Sequence, residues 1–147
     1  MKKQIFLLVA SFFTLFMVGC DEHDNTAADL GLVGEWQLME WTGNDKLTFD
    51  VYLNLKPNGA FELFQKVETS YYVQYNGTYT TTEDQFMGRY DDGQDFGAAY
   101  RYSLSATGNV LTLTSEHETQ VYARVFMPDY VRPNVKTRAL DAPEPMF

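Results

Sequence analysis

From Val33 almost to Met127, apolar and polar residues alternate in short runs, the pattern of half-buried β-strands. Leu47, Phe49, Val51, Leu53 and Leu55 alternate with Thr48, Asp50, Tyr52 and Asn54. Lys56-Pro57-Asn58-Gly59 then makes a turn, because proline pre-sets φ and Asn-Gly tolerates positive φ. Ala60 to Val67 returns as the hairpin partner. Ser70 to Thr82 places Tyr71, Val73, Tyr75 and Tyr79 on one face, with Gly77 as a bulge or bend. Gln85 to Asp91 keeps Phe86, Gly88 and Tyr90 in phase, and the turn over Asp91–Asp95 leads to Ala98, Tyr100, Tyr102 and Leu104. Val110 to Ser115 and Glu118 to Met127 complete the series, which opens with Leu32 to Trp41. Short connections imply antiparallel neighbours, so the eight segments predict an all-β, up-and-down meander. Such a meander closes into an eight-stranded barrel that is either filled by side chains or hollow enough for one small ligand. A β-sandwich is the architectural alternative.

Alternation assigns Phe49, Val51, Leu53, Phe61, Leu63, Tyr71, Val73, Tyr75, Tyr100, Tyr102 and Leu104 to the core face. Tyrosine is costly in a dry core, since each buried hydroxyl needs a partner. Tyrosines in register therefore indicate either a hydrogen-bond network or a mouth where rings meet an apolar ligand and hydroxyls meet water. The expectation is a partial cavity away from Trp36, lined by the ligand-binding candidates Tyr71, Tyr75, Tyr100 and Tyr102. A packed interior is the alternative.

The flanks read differently. Lys2-Lys3 precede an apolar run from Ile5 to Val18, too short for a comfortable membrane span and matching a signal-peptide core over residues 1–19. Residues 20–31 are an acidic tether, 32–127 the barrel, and 128–147 a proline-rich tail expected to be extended, packed partly on the barrel or mobile. The formal charge of −9 deepens to −11 once Lys2 and Lys3 leave with the leader, which disfavours a nucleic-acid partner. The outward positions Thr48, Asp50, Glu62 and Lys66 do not suit lipid contact, so the strands are not expected to cross a membrane.

Met17-Val18-Gly19-Cys20 resembles the lipobox of bacterial lipoproteins, which implies acylation of Cys20 and a membrane as partner. The acidic residues after Cys20 resemble the surface-export signal of Bacteroidetes-type lipoproteins, although an aspartate there also resembles the enterobacterial inner-membrane retention signal. The outer membrane, with possible surface exposure, is the expected address. Gly34-x-Trp36 opening the first strand, the meander, and Arg124 near the end of the last strand resemble a lipocalin-like barrel over residues 32–127. That resemblance implies that Arg124 lies over Trp36 and closes one end. The domain is shorter than a typical lipocalin and lacks the helix before the final region.

Candidate chemistry is sparse. His23 lies on the tether, Cys20 is assigned to lipid, and His117 sits between Glu116 and Glu118 at a predicted turn. No His/Cys cluster offers zinc three or four ligands, and Asp91–Asp95 lacks the spacing and distal glutamate of a calcium loop. No enzyme activity, metal or cofactor is expected. The leading expectation is a lipid-anchored envelope module binding a small, partly apolar ligand. The alternative is a non-catalytic adaptor with a packed barrel.

Overall fold

The computed structural model describes residues 28–136 and 143–147. The leader, Cys20 and His23 lie outside the described residues. Eight antiparallel strands follow one another: β1 (Gly34–Thr42), β2 (Phe49–Leu55), β3 (Ala60–Val67), β4 (Tyr72–Thr82), β5 (Gln85–Tyr90), β6 (Tyr100–Leu104), β7 (Val110–Thr114) and β8 (Thr119–Val125). Each pairs with the next, and β1 pairs with β8, so the meander closes into the expected barrel. Trp36 faces Arg124 across that closing seam. A register shift between Leu38 and Glu40 bends β1.

All eleven residues assigned to the core face belong to one interior cluster, with Phe49, Tyr71, Tyr102 and Leu104 only partly buried at its margins. The closed end gathers the start of β1, the β2–β3, β4–β5 and β6–β7 turns, and the end of β8. The far end carries the other four connections. At the closed end the stretch read as tether up to residue 31 is already structured from Ala28. Asp29 caps a 3-10 turn over Leu30–Leu32, its amide donates to Thr81 Oγ1 at 2.8 Å, and Leu32 is fully buried.

The seam between β5 and β6 is short. Only Gln85–Arg101 and Phe86–Tyr100 pair, because β5 ends at Tyr90 and β6 starts at Tyr100 rather than Ala98. The intervening loop sends Phe96 back over β5. A Cβ at Gly88 would lie 2.1 Å from the Phe96 ring, so only glycine leaves room there. Gly77 answers a similar demand: its Cβ would meet Arg89 O at 2.1 Å, which places β4 and β5 backbones in close approach.

The tail does two things. Its first part crosses the outside of β1–β4, where Val131 buries the outward rings Tyr52, Phe64 and Tyr72 in a second cluster. Arg132 lies over Phe64 and pairs with Glu62 at 3.1 Å, and Met127 N donates to Glu35 at 2.7 Å. A two-residue strand, β9 (Val135–Lys136), then adds in parallel to β4 at Tyr72 and Val73, beyond the reach of β5. The second part, residues 143–147, lies inside the barrel, with Phe147 buried in the core cluster. The expectation of a tail packed on the barrel or mobile is thus corrected for 143–147. Two prolines in five residues hide any periodicity, yet they also remove amide donors that an apolar interior would have to satisfy.

Candidate functional site

The two ends of the interior are built differently. At the closed end Arg124 Cζ sits 4.2 Å from the centre of the Trp36 ring. Its guanidinium donates to Val33 O at 2.7 Å, Gly31 O at 2.8 Å and Gly108 O at 2.9 Å. Trp36 Nε1 donates to Leu32 O at 2.8 Å. Gly34 explains its own identity: φ is +141°, and a Cβ would stand 2.4 Å from Arg124 Nη1. Tyr102 also belongs here, because its hydroxyl donates to Asp29 at 3.0 Å. It therefore lines the closed end, not the space shared by Tyr75 and Tyr100.

Toward the far end the inward phase turns polar. On β3 it continues from Phe61 and Leu63 to Gln65, and along the β8 segment it runs Glu118, Gln120, Tyr122. The Glu118 carboxylate accepts from Trp41 Nε1, Tyr100 Oη and Gln120 Nε2, each at 2.7 Å. Gln120 Oε1 in turn accepts from Tyr122 Oη at 2.7 Å. Burial first, then the Glu118 bond and charge, pushes the Tyr100 hydroxyl far above its ordinary range. Burial also pushes Tyr122 well up. Both hydroxyls thus stay protonated at neutral pH and act as donors.

The space these groups surround is filled by Pro143–Phe147. Gln65 Nε2 donates to Glu144 O at 2.9 Å, while Gln65 Oε1 accepts from Met146 N at 2.9 Å. Tyr75 Oη donates to Pro143 O. Tyr90 Oη donates to a Phe147 oxygen and accepts from Phe147 N, both at 3.3 Å. Tyr100 Oη reaches Met146 O at 3.5 Å. The Phe147 ring rests among Phe96, Tyr100 and Phe86, with centroids 4.9, 5.6 and 6.0 Å away. Glu144 keeps its side chain exposed, which leaves its charge in water.

Of the four ligand candidates, Tyr75 and Tyr100 therefore meet at this site. Tyr71 sits half-buried at the far rim, packed against the core. Sequence reasoning passed over Gln65, Tyr90, Glu118 and Gln120 as site residues. Their signal was a polar group at an inward position of a strand. Among the described residues no group of three or more His, Cys, Asp or Glu side chains could hold a metal ion. In the Asp91–Asp95 turn, Asp95 is committed to Arg89 at 2.7 Å.

A fatty-acid-binding protein from Echinococcus granulosus is similar over 65% of this chain and 98% of its own, at 11% identity and a TM-score of 0.37. No curated protein matches the chain at a significant level. The family profile of the lipocalin-like domain matches residues 32–124. With the matched region running from the buried Leu32 to the Arg124 that caps Trp36, the chain belongs to the lipocalin-like domain family.

Proposed function

We propose that this protein is a lipid-anchored module of the bacterial cell envelope whose barrel holds one small, partly apolar ligand and performs no catalysis. The anchor reading rests on Lys2-Lys3, the apolar run from Ile5 to Val18, and Gly19-Cys20. One observation carries the binding reading: the far half of the barrel spends its inward polar groups on a segment that is not part of the wall. Gln65, Tyr75 and Tyr90 bond to the 143–147 backbone. The strands alone therefore leave a polar-studded space there, the architecture of a ligand site with a few placed hydrogen-bonding groups in an apolar lining.

Native mass spectrometry of the detergent-extracted chain, expressed with its leader, tests this reading alongside titration with anilinonaphthalene sulfonate. The expected result is a one-to-one adduct or one-to-one dye binding that is weakened by Tyr100→Phe. A chain that carries no adduct and takes up no dye contradicts binding and leaves the adaptor reading.

A further inference from the structure

We infer that the far half of the barrel is an extended-peptide site, which residues 143–147 occupy in cis. This deepens the binding reading above and rests on it, since it names the ligand class for the same space.

The reason lies in where the polar groups are and what they touch. Gln65 uses both ends of its amide on one stretch of backbone, donating to Glu144 O and accepting from Met146 N. That is the exchange a neighbouring strand would make, reproduced by a side chain that is itself 3% exposed. Tyr90 likewise gives and takes with Phe147, and Tyr75 donates to the Pro143 carbonyl. Every one of these contacts is to peptide backbone, so it reads an extended chain and not a particular side chain. Side-chain selection is left to the aromatic box of Phe86, Phe96 and Tyr100 around Phe147 and to the Tyr122 hydroxyl, 3.8 Å from Met146 Sδ.

An acyl chain matches this layout poorly. It carries one polar end, whereas the site spreads donors and acceptors over the length of five residues. A bound fatty acid would satisfy one cluster and leave the buried amide of Gln65 without the two backbone partners it has here, at a cost comparable to the bonds themselves. Proline suits the site for the complementary reason. Pro145 lies between the two groups that Gln65 binds and brings no N–H, and both prolines pre-set an extended backbone.

The test uses the full chain, with Phe147→Ala to loosen the cis occupant. The probes are the capped peptide Pro-Glu-Pro-Met-Phe, the same peptide N-methylated at its methionine, palmitate and anilinonaphthalene sulfonate. The labelled peptide is expected to bind Phe147→Ala about tenfold or more tighter than the unchanged chain, because the linked segment no longer competes at high effective concentration. N-methylation is expected to weaken it about tenfold, since it removes the N–H that Gln65 accepts. Dye or palmitate binding with no peptide binding overturns the peptide inference and leaves the small-ligand reading. Failure of every probe overturns both. Should Phe147→Ala not fold, the methyl resonance of Met146 in the unchanged chain decides. Its movement on adding millimolar peptide supports exchange at the site, and a fixed resonance overturns it.

Discussion

Three residues close one end of the barrel, and each explains the others. Trp36 supplies the plate, Arg124 covers it, and Gly34 leaves the guanidinium room to lie flat. Because the guanidinium also donates to three carbonyls, it ties the start of β1, the 3-10 turn and the β6–β7 turn together. Trp36→Ala is expected to cost about 3–5 kcal/mol, as a fully buried tryptophan is lost. Arg124→Ala should cost less, and the double variant should fall short of the sum, because once the ring is gone the stacking component has nothing left to act on. Denaturant unfolding of the four proteins checks this; strictly additive losses would show that the contact contributes nothing. The pairing of Arg124 with Trp36 was legible through the resemblance of Gly34-x-Trp36 and a last-strand arginine to lipocalin-like barrels. The peptide-bonding role of Gln65 was not, because the partner it bonds to lies 79 positions later.

Among the elements, strand alternation accounts for the wall, while the segments without alternation account for what the wall encloses or wears. The period-two runs gave away the core faces of β2, β3, β4 and β6, while strand ends differ by a residue or two, as at β4, β6 and β2, where Leu47 falls outside the strand and is exposed. What alternation cannot show is a third body. Tyr52, Phe64 and Tyr72 fall on the outward phase, and only the covering segment with Val131 makes them core. Phe96 and Phe147 sit in stretches with no period at all, yet both pack on Phe86. The covering segment is held partly by charge, and this makes its docking pH-dependent. Burial alone would raise the Glu62 carboxyl, but bonds from Asn54 and Arg132 and the nearby charges of Arg132 and Lys56 outweigh it and hold it below its ordinary 4.5. A lowered folded value means stability present above the unfolded value and lost as pH falls through the folded one. The unfolding-temperature gap between the unchanged chain and Glu62→Gln is therefore expected to be full above pH 4.5 and to close in stronger acid. A gap that stays constant across that range would contradict the ion-pair account. The effect is modest, since Arg132 is 48% exposed and screened by solvent.

At the scale of the whole molecule, the proposal joins an address to a container. If Cys20 carries the acyl anchor, Cys20→Ser is expected to leave an unlipidated precursor that no longer partitions into detergent. A normally processed, released protein from that variant would contradict the lipobox reading. The container is a lipocalin-like barrel with one sealed end and one polar end, and its own residues 143–147 fill the polar end. The β5–β6 seam, with two residue pairs, is the weakest join in the wall and lies beside Phe86 and Tyr100, which hold Phe147. It is the place where the wall can part with least loss of ladder bonding. Everything in this account depends on the segment being inside. Nuclear Overhauser spectroscopy on the protein with labelled methionine methyls and aromatic rings measures that directly. The account predicts cross-peaks from the Phe147 ring to Phe86, Phe96 and Tyr100, and from the Met146 methyl to Tyr122. A Met146 methyl at its random-coil position, with no cross-peak from Phe147 to any barrel ring, would contradict it.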